Sequence, residues 1–236
     1  DAPCTGYQFM ANSVILKISI GKKMFMGLTG LFLITFLIVH ATINGMIWFN
    51  DGGVTFNKWA HFMGTNLIIR TLEIVLFLGF IIHIADGLML WVQNRKARPV
   101  KYECSTPPQN TTWYSRSMAI LGTLILLFLV VHLSNFWLKT RITGVEQYGL
   151  DAEHQENLFA MMQQIFQSPK ILAVYLIGCF SLFWHLLHGF KSAFQSLGLN
   201  HIKYNEAIVV VGIAFSIIVP LIFALMPISI FLGWVS

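Results

Sequence analysis

The sequence predicts an all-α integral membrane protein in which five helices cross the bilayer. Of its 236 residues, 56% are hydrophobic and only 11% are charged, whereas an average soluble domain has about 25% charged residues. So few charged groups cannot cover the surface of a soluble globule of this size. The composition therefore excludes a soluble enzyme, a disordered chain and a nucleic-acid-binding domain.

Five apolar runs are each long enough to cross a bilayer, which takes roughly 20 residues in a helix. They do not alternate between polar and apolar residues as the strands of a membrane barrel do. Helices are therefore the predicted spanning structure, because a helix satisfies its own backbone hydrogen bonds in lipid. We expect residues 1–236 to form a single transmembrane domain. The predicted spans are Met24–Trp48, Leu67–Val92, Met118–Leu138, Ile171–Phe194 and Ala207–Val235.

The distribution of positive charge predicts the orientation of the chain. With five spans the termini lie on opposite sides, and the N-terminal side carries ten of the 15 Lys and Arg residues. Because Lys and Arg are retained on the cytoplasmic side, we expect the N-terminus inside and the C-terminus outside. The basic inner loop, Gln93–Ser117, is either this topology signal alone or also a docking surface for a soluble partner or anionic lipid.

Five of the eight histidines lie inside the predicted spans, where ionisable groups are costly and by default functional. His40 and His132 share a depth toward the outer side, in the first and third spans. His83 and His185 share a depth toward the inner side, in the second and fourth spans. At the helical rise per residue, the two levels are about 12 Å apart.

Two facing histidines at one depth in an apolar bundle are the axial ligands that a b-type haem needs. The first four spans are therefore predicted to form a bundle around two stacked haems b. The outer haem would be held by His40 and His132, and the inner haem by His83 and His185. With both axial positions filled, such haems transfer electrons and do no bond chemistry. His188 competes with His185 as a ligand and is otherwise a candidate for a haem propionate contact or a proton path.

Small and polar residues near the histidines fit the same prediction. Gly87 and Gly189 each follow an inner histidine by four residues and so lie on the same helix face. Asn44 and Asn135 lie one turn beyond the outer histidines and are candidates for orienting the imidazole rings. Ordinary helix packing and interfacial polarity are the alternative explanations. Further glycines that would leave room for a porphyrin are Gly27, Gly30 and Gly122.

Six stretches of the sequence carry a resemblance to a known family. They are SIGKKMFMGLTGLFLITFLIVHATING, FNKWAHFMGTN, QNRKARPVKY, TWYSRSMAILGT, VVHLSNFWLKTRI and FWHLLHGFKSAFQSLGLNHIKY, and they cover most of residues 19–204. These stretches resemble the five-helix dihaem cytochrome b membrane anchors of bacterial succinate:quinone oxidoreductases, which include fumarate reductases. The similarity is greatest to the single-subunit anchors of the Bacteroides and Flavobacterium kind.

The resemblance implies a function, partners and a location. The chain would carry electrons between an iron–sulfur subunit and menaquinone, as a subunit of succinate dehydrogenase or fumarate reductase that does not itself oxidise succinate. The iron–sulfur subunit and a flavoprotein subunit would lie on the cytoplasmic side of the bacterial inner membrane. In that family the first and third spans hold the distal haem, which matches His40 and His132. The second and fourth hold the proximal haem, which matches His83 and His185.

The quinone site is less well defined by the resemblance. Some relatives place an acidic residue near the outer start of the second span, and Glu73 is the acidic residue there. It is our candidate quinone contact, although it lies ten residues before His83, deeper than the relatives would place it. Asp86 and Lys191 either serve an inner quinone site or snorkel to the surface as interfacial charges, and we favour the second interpretation.

Two other functions remain as alternatives. A cytochrome b subunit of a formate dehydrogenase or hydrogenase would keep both haems, but such subunits usually have four spans and a partner on the outer side. A transporter that uses the intramembrane histidines, Glu73 and Asp86 as a proton relay would bind no haem. Nothing in such a relay requires histidines matched in depth.

Overall fold

The protein is described by a computed structural model that covers residues 6–96, 112–199 and 201–235, with side chains from residue 21 onward. Within these ranges the chain is helical and has no β-strand, which confirms the predicted fold class. Five of the described helices are long and apolar enough to cross a membrane. Most of the basic inner loop, on which the docking prediction rests, lies outside the described residues.

Eight α-helices follow one another along the described chain, and short 3₁₀ and π-helical turns extend some of them. The third spanning helix, for example, continues beyond α5 as π-helical turns at Leu133–Trp137 and Lys139–Thr143. The α-helices are α1 (Gly6–Asn44), α2 (Val54–Thr65), α3 (Leu67–Lys96), α4 (Trp113–Arg116), α5 (Met118–His132), α6 (Leu158–Phe166), α7 (Pro169–Ser196) and α8 (Ile202–Phe231).

The spanning helices do not end where the apolar runs end. α3 continues to Lys96, past its predicted end, and α8 begins at Ile202, before its predicted start, and stops at Phe231. Backbone hydrogen bonds continue the helix through polar residues at the membrane surface, where hydropathy no longer marks it. The start of α8 is capped by His201, whose Nδ1 accepts a hydrogen bond from the amide of Lys203 at 3.2 Å.

The spanning helices α1, α3, α5 and α7 form a four-sided bundle. α1 packs against α3 and α7, and α5 packs against α7, whereas α3 and α5 contact each other least. α8 lies outside this bundle, along α7 and part of α1. The pairs α1–α5 and α3–α7 therefore face each other across the two diagonals of the bundle.

One end of the bundle is covered by α2, α6 and the connections around them, and we call it the outer end because the charge distribution predicts that it faces outward. The buried Asn57 of α2 accepts a hydrogen bond from the Phe159 amide at 2.9 Å and donates to Asn157 at 3.1 Å. Asn157 in turn caps α6. This layer holds the larger of the two buried apolar clusters, which includes Ile47, Phe56, Val145, Met161, Met162, Ile165, Phe166 and Tyr175.

A close approach of α5 and α7 depends on the absence of a side chain at Gly178. A Cβ atom there would lie 2.6 Å from ring atoms of Phe128. The Phe128 ring packs in turn against the His132 imidazole, with 5.6 Å between the ring centres. Gly178 therefore helps to place one of the outer histidines.

We expect Gly178→Ala to lower the free energy of unfolding by about 1–3 kcal/mol, because the added methyl group overpacks the α5–α7 contact. Unfolding of the purified protein in detergent micelles measures this change. Gly21→Ala is the matched control, because a Cβ at Gly21 would have no described neighbour within 4 Å beyond its own stretch of helix. Alanine is the better helix former, so the control should be neutral or stabilising. Equal destabilisation by both variants would contradict the close approach.

Candidate functional site

The four histidines predicted to pair by depth lie in two pairs across the diagonals of the bundle. The rings of His40 on α1 and His132 on α5 have centres 5.7 Å apart and planes at 89°. The rings of His83 on α3 and His185 on α7 have centres 6.3 Å apart and planes at 65°. We call these the outer pair and the inner pair. Their role as haem ligands stays a prediction.

The distance between the two pairs along the bundle can be counted on α1 and on α7, because each of these helices contacts both pairs. On α1, Thr29 contacts the inner histidine His83, and His40 belongs to the outer pair. On α7, Tyr175 contacts the outer histidine His132, and His185 belongs to the inner pair. These separations of 11 and 10 residues place the two levels about 15 Å apart, somewhat more than the spacing expected from the sequence.

The spacing of the rings within each pair suits a shared iron. Metal–imidazole bonds are about 2 Å long, so two imidazoles on opposite sides of one metal have ring centres about 6 Å apart. Both pairs lie near this separation. In addition, the Nε2 atoms of the four histidines make no hydrogen bond with any of the described residues. These nitrogens are therefore not committed to another partner.

Two of the five glycines singled out in the sequence lie beside the inner pair. A Cβ on Gly30 of α1 would be 3.7 Å from Cε1 of His83, and one on Gly122 of α5 would be 3.8 Å from Cε1 of His185. α1 and α5 do not supply the inner histidines. At Gly30 and Gly122 they place no side chain against the rings of those histidines. The two glycines therefore leave room beside the inner pair that larger side chains would fill.

The other three glycines have different surroundings. A Cβ on Gly27 would lie 3.0 Å from the carbonyl oxygen of Ala193, so Gly27 allows close packing of α1 on α7. Gly87 lies against Met26, and a Cβ on Gly189 would meet none of the described residues within 4 Å outside its own stretch of helix. Helix packing is thus sufficient to explain Gly27, whereas Gly189 borders open space.

Hydroxyl groups contact the Nδ1 atom of one histidine in each pair. Nδ1 of His83 lies 3.1 Å from Oγ1 of Thr29, and Nδ1 of His132 lies 3.4 Å from Oη of Tyr175. Nδ1 of His185 is buried and has no hydrogen-bond partner among the described residues. Thr29 and Tyr175 could not be predicted from the sequence. Each lies on a different helix from the histidine it contacts, so no short sequence spacing relates the hydroxyl to its histidine.

Of the two asparagines expected to orient the outer histidines, one contacts its histidine directly and the other does not. Asn44 donates its amide N–H to the carbonyl oxygen of His40 at 2.8 Å and lies 3.3 Å from Nδ1 of the same residue. Asn135 does not contact a histidine and instead donates to the hydroxyl of Tyr175 at 3.4 Å. Asn135 is therefore linked to the His132 ring through Tyr175 and does not contact it directly, as the sequence suggested it would.

The remaining candidates at the inner end have three different surroundings. The ring of His188 lies near Tyr114, with 6.4 Å between the ring centres, which directs it toward the connection before α5. Lys191 is exposed, as expected for an interfacial charge. Asp86 is only 6% exposed, and its Oδ2 has no hydrogen-bond partner among the described residues. The expectation that Asp86 snorkels to the surface is therefore wrong, because its short side chain lies within the packed part of α3.

Glu73 forms a polar cluster that closes the outer end of the gap between α3 and α5. Its carboxylate accepts hydrogen bonds from Arg70 at 2.6 Å, from Nη2 of Arg141 at 3.4 Å and from Nε1 of Trp137 at 2.5 Å. Arg141 also donates to the carbonyl oxygen of Gly64 at 3.2 Å. Trp137 and Arg141 come from the π-helical turns, a rare helix form that often occurs at functional sites.

Comparison with known proteins finds one similar protein. The succinate dehydrogenase cytochrome b558 subunit of Bacillus subtilis strain 168 is 28% identical over 166 residues, which are 70% of this chain and 73% of that protein. The chain is thus similar to a cytochrome b subunit of a succinate dehydrogenase. No family model and no solved structure matches it. This similarity and the five helices that are long and apolar enough to span together show that the chain is a multi-pass membrane protein.

Because Trp137 donates a hydrogen bond to Glu73, we expect Trp137→Phe to weaken the attachment of α3 to the third spanning helix. The phenyl ring keeps the packing on Phe77, 5.1 Å away, but loses the N–H that bonds the carboxylate. A hydrogen bond to a charged group contributes about 1.5–3 kcal/mol, and unfolding in detergent should show a loss of this size. Trp59→Phe is the control, because Trp59 is half-exposed and donates no hydrogen bond within the described chain. An equal loss of unfolding free energy in both variants would contradict a stabilising role of this cluster.

Proposed function

We propose that this chain is the membrane-anchor cytochrome b subunit of a succinate dehydrogenase or fumarate reductase. It carries electrons between an iron–sulfur subunit and a membrane quinone, and menaquinone is the quinone we propose. The observation that carries this proposal is the stacking of two histidine pairs across the two diagonals of one bundle. The name of the Bacillus subtilis relative supports the choice of succinate dehydrogenase as the enzyme.

The proposed cofactors are two haems b, one at each level. When bound, each haem supplies an iron that accepts and donates one electron, and its two axial positions are filled by histidine. His83 and His185 hold the inner haem, and His40 and His132 hold the outer one. Haems held by two histidines each would transfer electrons and bind no substrate.

The proposed orientation places the inner pair on the cytoplasmic side. Ten of the 15 Lys and Arg residues lie on that side of the predicted spans, and such residues are retained in the cytoplasm. The iron–sulfur subunit docks on this basic side, and the flavoprotein subunit attaches through it. Succinate is oxidised in the flavoprotein subunit, and the iron–sulfur clusters belong to the partner, because Cys4, Cys104 and Cys179 are too far apart in sequence to form an iron–sulfur motif here.

Glu73 is the proposed contact for the quinone. It lies ten residues from His83 toward the outer side, which is about 15 Å along α3 and therefore near the outer pair. Its carboxylate lies on the side of the bundle where the neighbouring helices α3 and α5 contact each other least. A quinone that enters there would compete with the arginine side chains for the carboxylate.

The ligand assignment predicts a different haem loss for each pair. We expect His40→Ala or His132→Ala to leave one haem per chain by removing the outer haem, and His83→Ala or His185→Ala to remove the inner one. Haem extracted as the pyridine haemochrome, measured against the amount of this chain, gives the ratio. His61→Ala is the control, because His61 is exposed on α2, and it should keep two haems. Retention of both haems in any of the four ligand variants would exclude that histidine as a ligand.

A further inference from the structure

The helices α1 and α7 each contribute to both levels of the bundle. α1 supplies His40 to the outer pair and Thr29 to the inner one. α7 supplies His185 to the inner pair and Tyr175 to the outer one. In each case the second residue is a hydroxyl that reaches Nδ1 of a histidine on an adjacent helix.

We propose that the hydroxyls of Tyr175 and Thr29 are positioning groups that fix one axial histidine at each level and lower the midpoint potential of the haem at that level. This inference rests on the proposed function, because it concerns histidines that bind iron. It goes beyond that function by assigning a role to two residues that are not proposed as iron ligands. Each would act only on its own level.

The direction of the effect follows from the tautomer of a ligand histidine. When Nε2 binds iron, Nδ1 carries the proton and must donate a hydrogen bond. An acceptor at Nδ1 fixes the tautomer and the ring orientation and makes the imidazole a more basic ligand. A more basic ligand stabilises the oxidised, more positive iron and so lowers its midpoint potential. Removal of the acceptor should therefore raise it.

Thr29 has the donor and acceptor arrangement that this role requires. Its hydroxyl lies 2.9 Å from the carbonyl oxygen of Phe25, to which it donates its proton within the helix. The oxygen of Thr29 is then free to accept the N–H of His83 at 3.1 Å. No rearrangement of α1 is needed.

Tyr175 is held at His132 by its surroundings. It is 5% exposed, and its ring packs against Phe128 and Phe166 with centres 5.1 and 4.9 Å away. Its hydroxyl is the one hydrogen-bond partner that Nδ1 of His132 has among the described residues. When the hydroxyl accepts the N–H of His132, its own proton needs an acceptor. The amide of Asn135, 3.4 Å away, supplies one when it is turned over to present its oxygen.

The test is a pair of crossed variants in the intact, haem-loaded complex. Tyr175→Phe removes one hydroxyl and keeps the ring, and Thr29→Val removes the other and keeps the shape of the side chain. Redox titration followed by the haem absorbance gives two midpoint potentials for each protein. The signal lost in His40→Ala identifies the outer haem. Tyr204→Phe, at a half-exposed site on α8, is the control and should move neither potential.

We expect Tyr175→Phe to raise the midpoint potential of the outer haem and leave the inner one in place, and Thr29→Val to do the reverse. Two haems whose potentials do not move in either variant would overturn this inference and leave the proposed function intact. Equal shifts of both haems in one variant would also overturn it, because they would report a general loosening of the bundle. A complex that holds no haem would overturn the proposed function together with the inference.

Discussion

The burial of four imidazole rings in a bundle that crosses the membrane is the constraint on which the rest of this structure depends. Lipid offers no hydrogen-bond partners, so a polar group in a spanning helix must find its partners within the protein. Here the rings are paired across the bundle, and hydroxyls of adjacent helices contact one Nδ1 atom in each pair. The positions of four helices are thus coupled at two depths.

The two levels differ in the side chains that surround them. The inner pair is flanked by Gly30 and Gly122, which leave the sides of the rings open. The outer pair is enclosed by aromatic rings that lie 5.1 to 5.6 Å from its imidazoles, which are those of Phe36, Phe128, Phe136 and Phe223. One chain therefore provides two different environments for the same pair of ligand residues.

Support for these levels comes from parts of the chain that do not touch the histidines. α8 packs along α7, which carries both His185 and Tyr175, and so holds the helix that reaches both levels. At the outer end, the polar cluster around Glu73 joins α3 to α5 where these helices otherwise contact each other least. The bundle is thus braced on two sides, and the open edge is closed at one end by charged and polar groups.

The sequence was sufficient to predict the helical class and the number of described helices that are long and apolar enough to cross a membrane, because long apolar runs have few structural alternatives. Depth counting placed His40 with His132 and His83 with His185, since helical rise converts residue number directly into height. It could not find Thr29 or Tyr175, because a contact between helices depends on how each helix is rotated. For the same reason hydropathy did not reveal that Asp86 is buried.

The most direct test of this account is a dithionite-reduced-minus-oxidised spectrum of the complex extracted from membranes, with haem measured against this chain and a second spectrum taken after addition of succinate. The account predicts two b-type haems per chain and reduction of at least one of them by succinate. Two haems that do not respond to succinate would contradict the assignment to succinate dehydrogenase or fumarate reductase. The absence of haem would contradict the account at its centre, since the paired histidines would then hold no iron.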